Sequence, residues 1–365
     1  MKPLSSLRIV EFDGLGPVTF LGMVLADLGA DVVRLTRSDS AGAAVFTEVG
    51  GAILHRGRPA VPVDLKDAGD RARVLDLVAH SDGLIEGFRP GVMERLGLGP
   101  DICLDRQPAL VFARVTGWGQ TGPLATAVGH DINYLALSGA LSTFGEADRT
   151  ARPPLNLVGD YAGGALMGAI GLLSGILQAR TTGKGAVVDI AMTDGVALMT
   201  ALFHALKARG LWTDQRDANL LDGSTPFYRC YRCRDGGEVA VGALEPRFYA
   251  ALLSGLELTA DDAPQYDRGR WPEITDRFAA LFATRDRDDW ASRFEGTEAC
   301  VTPVLTLGEA VSNAHNRARG TFLPAGAPAS SPVFDGVRPC GDTAIPPAFD
   351  VGEALRRWAG AKPAP

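Results

Sequence analysis

Short apolar, β-rich runs alternate with helical patterns through the first half of the chain, and that alternation admits few folds. Residues 7–12 read as a buried strand, 13–17 as a turn, 20–28 as a helix ended by Gly29, and 31–35 as the next strand. Further strands are expected at 61–65, 83–86, 110–115 and 186–191, and helices at 68–79, 131–141, 160–179 and 193–209. Strands separated by helices at this spacing imply an α/β domain, with a mostly parallel sheet covered on both faces. Ligands on such sheets sit beyond the carboxyl ends of the strands.

The texture then changes. Residues 210–222 are polar enough for a linker, and 227–233 with 238–243 form a hairpin about the turn Arg234-Asp235-Gly236-Gly237. Helical patterns follow at 246–256, 271–283 and 287–294. The expected organisation is a large domain over 1–209, a linker over 210–222 and a smaller α+β domain over 223–320. A Pro-, Ala- and Gly-rich segment, 321–365, returns over the large domain and ends in disorder. A length of 365 residues fits two domains.

Several classes are excluded at this level. A net charge of −7 gives no basic footprint for nucleic acid, so an anionic ligand must be held by local cations. The most apolar stretch, 162–177, is short for a membrane span and reads as a buried helix. No apolar run precedes Arg8, so no signal peptide is expected, and Pro363-Ala364-Pro365 is no peroxisomal address. Five scattered cysteines point to a reducing compartment, with cytoplasm the default. The five histidines show no metal-ligand spacing. Cys230-x-x-Cys233 stands alone on a predicted strand, where both thiols are expected to pack, so no metal site is expected. Neither a Gly-x-Ser-x-Gly elbow nor a Walker loop is present.

The first turn carries Gly14-x-Gly16, but Thr19 holds the third glycine position and the second strand runs into Arg37 rather than an acid. That argues against a nicotinamide dinucleotide and suits a phosphate; the glycines read equally as a plain tight turn. Arg37, Lys66, Arg89 and Arg95 all fall at or after predicted strand ends. Each alone reads as a solvated charge, but their recurrence at one edge builds a phosphate site.

Two residues carry the proposed chemistry. His130 precedes one predicted helix and Asp160 opens another. An imidazole and a carboxylate facing one another can take a proton from one face of a carbon and return one to the other. Asp160 also reads as an ordinary N-cap, and His130 alone as a structural histidine. The Asp160 helix start presents N–H donors to an enolate oxygen, and Gly163 and Gly164 let a ligand approach the backbone. Glu245, before Pro246, is either a first-turn acid or a carboxylate that orients the histidine.

Residues Glu86-Gly87-Phe88-Arg89-Pro90-Gly91, Thr116-Gly117-Trp118-Gly119-Gln120-Thr121-Gly122-Pro123, Gly129-His130-Asp131-Ile132-Asn133-Tyr134, Pro154-Leu155-Asn156-Leu157-Val158-Gly159-Asp160 and Val241-Gly242-Ala243-Leu244-Glu245-Pro246 resemble the α-methylacyl-CoA racemases of the family III CoA transferase superfamily. The similarity spans about residues 4–325. It implies a Rossmann-like large domain, a small second domain and an interlocked homodimer. It makes His130 and Asp160 the acid/base pair and Glu245 the partner of His130, from the other subunit or across the domains. Arg37, Val63, Asp64, Leu65, Lys66, Gly87, Phe88, Arg89, Arg95, Gly129, Asp131, Ile132, Asn133 and Tyr134 would contact coenzyme A. The implied reaction interconverts (2R)- and (2S)-2-methylacyl-CoA thioesters by 1,1-proton transfer through an enolate. It needs no cofactor, because the CoA thioester is the substrate, and no membrane or nucleic-acid partner.

The chain departs from the family pattern at Ser224-Thr225, where Gly-Ala is expected, which leaves the acyl preference open. Pro17-Val18-Thr19-Phe20 also differs from the family's Pro/Gly-rich turn. Two alternatives remain. In a CoA transferase of this fold Asp160 would be a nucleophile, and a non-catalytic acyl-CoA-binding protein would show affinity without turnover.

Overall fold

The computed structural model describes residues 2–37, 50–51, 53–339 and 344–360. The chain divides into two compact units. Unit 1 comprises Met1–Ala140, Pro153–Thr200 and Gly320–Pro365; unit 2 comprises Leu141–Arg152 and Ala201–Arg319.

Unit 1 is built on six parallel strands: β1 (Arg8–Phe12), β2 (Asp31–Arg37), β3 (Ala60–Val63), β4 (Gly83–Glu86), β5 (Val111–Thr116) and β6 (Ala186–Ala191). Their order is β3-β2-β1-β4-β5-β6. The order reverses between β1 and β4, so the loops leaving these strands diverge and open a crevice at the carboxyl edge. Alternate residues serve opposite faces. Ile9, Val32, Ile85 and Val111 pack with Leu21 and Leu25 of helix Pro17–Asp27 and with Leu172 and Ile176 of helix Met167–Thr182. Val10, Val33, Leu84 and Phe112 pack with Val74 and Leu77 of helix Ala68–Val78.

The C-terminal segment belongs to unit 1. It ends in helix Val351–Gly360, which buries Val351, Ala354 and Trp358 in the second cluster. Trp358 Nε1 donates to Asp31 Oδ2 at 3.0 Å, and Arg357 pairs with Asp31 at 2.8 Å. The expected disordered end, from 361, lies outside the described residues.

The apolar helix is longer than the sequence pattern indicates. It runs over Leu157–Thr182, 26 residues, and by length and composition alone it could cross a bilayer. Ala169, Leu172 and Ile176 pack on the sheet, while Leu166, Ile170 and Leu177 are exposed. The expected helix over 193–209 is instead two, Met192–Met199 and Ala201–Ala208, with the boundary between the units falling between them.

Unit 2 carries an antiparallel sheet, β7 (Tyr228–Arg232), β8 (Glu238–Gly242) and β9 (Val301–Pro303), in that order. Tyr231, Val239 and Val241 pack against helices Pro246–Gly255, Trp271–Phe282 and Arg287–Phe294. Cys230 and Cys233 do not both pack. Their odd spacing sends them to opposite faces, so Cys233 is buried and Cys230 exposed. Residues 210–222 form hydrogen-bonded turns within this unit; Asp222, for example, accepts from the N–H groups of Ala218 and Asn219 at 3.1 Å. Arg216 ties Leu141–Arg152 to them, donating to the carbonyls of Arg149 at 2.6 Å and Glu146 at 3.2 Å.

Candidate active site at the carboxyl edge of the parallel sheet

From Thr116, at the end of β5, a glycine-rich turn leads to His130. Tyr134 closes that turn. Its hydroxyl donates to the Gly129 carbonyl, and its ring stands edge-on to Trp118 at 4.8 Å. His130 takes the N-cap position of helix Asp131–Leu137 with an extended backbone. Its N–H donates to Asn133 Oδ1 at 3.0 Å, and the residue is exposed.

Asp160 is not the N-cap. The helix opens earlier, at Leu157, as a π-helix over Leu157–Leu166, and Asp160 lies in its first turn. The Asp160 N–H donates to Asp131 Oδ2 at 2.8 Å, and the Gly159 N–H also bonds that carboxylate. Two donors expected to face an enolate are therefore engaged by Asp131. Gly163 and Gly164 do not open the backbone to a ligand either. A Cβ at Gly163 would lie 2.9 Å from Val196, and one at Gly164 2.9 Å from Met192 and Pro17, so these glycines admit neighbouring elements of unit 1.

The Asp160 carboxylate accepts from Asn156 Nδ2 at 3.3 Å and faces the loop after β1. A Cβ on Gly16 would lie 2.8 Å from Asp160 Oδ2. Gly16 has φ 62 and ψ −116, a conformation side chains resist. This glycine therefore clears space beside Asp160, at the crevice between β1 and β4. Burial raises the Asp160 pKa above the usual carboxylate value; the Asp131 charge adds to the rise, while Asn156 and His130 oppose it. Burial likewise raises Asp131. His130 and Asp160 are thus close enough for their charges to interact.

The cations lie along one edge. Arg37 ends β2, Lys66 follows β3, Arg89 follows β4 and Arg95 ends helix Val92–Arg95; all four are exposed. The β3 turn is tightly bonded. Lys66 N–H donates to Asp64 Oδ1 at 2.9 Å, Asp64 N–H to Asp70 Oδ2 at 2.7 Å, and Arg71 donates to the Lys66 carbonyl at 2.7 Å. These bonds end β3 at Val63, short of the expected Leu65. Val63 is buried, and Leu65 and Phe88 pack against the same cluster, so these three present main chain at the edge. Gly87 and Ile132 are exposed, while Asp131 and Tyr134 are buried.

Glu245, in unit 2, is exposed and is the N-cap of helix Pro246–Gly255. Gln265 Nε2 holds the preceding turn by donating to the Leu244 carbonyl at 2.8 Å.

The profile of CoA-transferase family III matches residues 4–358. The chain belongs to CoA-transferase family III. Among its family III relatives, mouse α-methylacyl-CoA racemase is 43% identical, covering 90% of this chain and 84% of that one. The human α-methylacyl-CoA racemase is 44% identical, covering 88% and 82%. Acetyl-CoA:oxalate CoA-transferase of Acetobacter aceti is 34% identical, covering 89% and 86%. The fold is shared with a CaiB/BaiF family protein of Brucella suis, at a TM-score of 0.81 and 24% identity over 97% of this chain and 98% of that one.

Other parts of the candidate site were not anticipated. Glu86 is buried at the end of β4, bonded by Arg114 at 2.8 Å and by the Phe88 N–H at 2.6 Å, and Arg114 reaches on to Glu94 at 2.7 Å. This network sets the loop that carries Arg89. An acid ending β4 and an arginine within β5, in otherwise mostly apolar strands, were its signal in the sequence. Gly16 and Asn156 carried no such signal. Among the described residues, no cluster of three His, Cys, Asp or Glu side chains could hold a metal.

Proposed function

We propose that this protein is an isomerase that interconverts (2R)- and (2S)-2-methylacyl-CoA thioesters by 1,1-proton transfer. The observation that carries it is the buried Asp160 carboxyl beside the space cleared by Gly16 at the β1/β4 switch point, with His130 near enough for its charge to act on that carboxyl. One residue removes the C2 proton to give the enolate, and the other delivers a proton to the opposite face. The mouse and human relatives named α-methylacyl-CoA racemase support the same reading.

Arg37, Lys66, Arg89 and Arg95 hold the CoA phosphates, and main chain at Val63–Lys66 and Gly87–Phe88 lines the carrier. The thioester is the substrate, and the proton transfer calls for no resident cofactor. Because Asp131 engages the Asp160 and Gly159 N–H groups, the enolate oxygen is met by other donors. Glu245 is the acid we assign to orient His130. The described cysteines are all free, in keeping with a cytoplasmic enzyme.

The test is NMR of a single-epimer 2-methylacyl-CoA in deuterated water, with and without an added carboxylic acid. Epimerisation with C2 deuteration and no need for the acid is expected. Transfer of CoA to the acid without C2 exchange would instead make Asp160 the nucleophile of a transferase. In the same assay Gly16→Ala is expected to lower turnover by about 10²-fold, because its methyl displaces the Asp160 carboxyl. Turnover within about threefold of wild type would contradict that account of Gly16.

The protein functions as a homodimer. Leu166, Ile170 and Leu177 recur on one stripe of the long helix and are exposed, an apolar face that a second copy would cover. Light scattering after gel filtration should give twice the chain mass of 38.4 kDa. Ile170→Glu should shift the mass toward monomer; a wild-type monomer would contradict the assignment.

A further inference from the structure

We propose that Asp131 is a positioning residue for Asp160: its buried carboxylate fixes the main chain of the Asp160 turn and so sets where the Asp160 carboxyl meets C2 of the substrate. The inference rests on the racemase assignment above.

Asp131 directly follows His130 and is only 8% exposed. Its Oδ2 accepts the Asp160 N–H at 2.8 Å, and its carboxylate also takes the Gly159 N–H. Its Oδ1 is buried and meets no donor among the described residues. A half-satisfied buried carboxylate costs stability. An acid in a helix's first turn gains its dipole benefit at the surface as well, so helix capping does not require this burial. The burial does give a short, stiff path between the two bases. His130 is covalently joined to Asp131, and Asp131 is hydrogen-bonded to Asp160. A racemase with two bases must hold them on opposite sides of one carbon, and a displacement of about 1 Å costs about 10²-fold in rate.

The role predicts a defect confined to one face of the substrate. Each epimer is exchanged separately in deuterated water. The epimer that still exchanges in His130→Ala is the one presented to Asp160. Asp131→Ala is expected to lower kcat for exchange of that epimer by about tenfold or more, with KM within about twofold. Exchange of the epimer facing His130 should stay within about threefold. Asp131→Asn keeps an acceptor for the Asp160 N–H and should recover most of the loss. Should Asp131→Ala not fold, Asp131→Ser, whose hydroxyl is too short to reach Asp160, is read in the same way with the same expectation. Equal slowing of both epimers, or no slowing of either, overturns the proposal. A wild-type protein that does not epimerise overturns the racemase assignment instead.

Discussion

His130→Ala is expected to lower epimerisation by about 10²–10⁴-fold while leaving C2 exchange of one epimer in place. The remaining carboxylate removes the proton that faces it and returns deuterium from solvent to the same side, so label enters without inversion. Asp160→Asn should give the mirror image, with exchange retained in the other epimer only. A single base acting on both faces would lose both exchanges with one variant, and a bystander would lose neither. The pH dependence follows from the same pair, which must hold one proton between its two members. A second proton, added as pH falls, leaves no base. kcat/KM should therefore fall in both directions as pH drops through the Asp160 pKa. Burial raises that pKa, so the acid limb lies above the ordinary carboxylate value. The limb belongs to the coupled pair rather than to either residue alone. An acid limb at or below the ordinary carboxylate value would contradict the buried carboxyl.

The parallel sheet was legible because strands buried on both faces are written as short apolar runs, as in Ile9-Val10-Glu11-Phe12 and Leu110-Val111-Phe112-Ala113. The cation edge was legible for the same reason: once strand ends are known, Arg37, Lys66 and Arg89 fall on the side where ligands bind. What was missed depends on contacts distant in sequence. The π-helical start at Leu157 follows the seating of Gly163 and Gly164 against Met192, Val196 and Pro17. The pattern around Asp160 fitted an ordinary N-cap equally well. Strand β9 is three residues long and exists because β8 offers it an edge. Helix Val351–Gly360 did carry a signal, with Val351, Ala354, Leu355 and Trp358 at helical spacing. The Pro- and Ala-rich sequence around it masked that stripe. Asp131 lay inside the family motif, yet nothing in its neighbours told that its carboxylate turns inward to the Asp160 backbone.

Arg58→Ala should destabilise unit 1 by about 3–5 kcal/mol, the largest loss of stability expected from any single change here. Glu11, the penultimate residue of β1, faces helix Pro17–Asp27 where Gly22 leaves room for it. Arg58 pairs with it there, and both side chains are 0% exposed. Arg58 also donates to the Leu54 carbonyl. Removing the arginine strands a carboxylate in the core. Burial already pushes the Glu11 pKa upward, with Arg58 the main group opposing it, so the single variant forces Glu11 to take a proton or to pull the sheet open. The pair is itself imperfectly satisfied, since Glu11 Oε1 and Arg58 Nε are buried without partners. The double variant Glu11→Leu, Arg58→Met is therefore expected to regain most of the loss, because two apolar side chains replace two desolvated charges. Urea unfolding of the wild type, the single and the double variant measures both effects. A double variant no more stable than Arg58→Ala would mean that Arg58 stabilises through its Leu54 contact and packing rather than by neutralising Glu11. The distinction bears on the site as well, because the helix seated by this pair begins at Gly16, beside the Asp160 carboxyl.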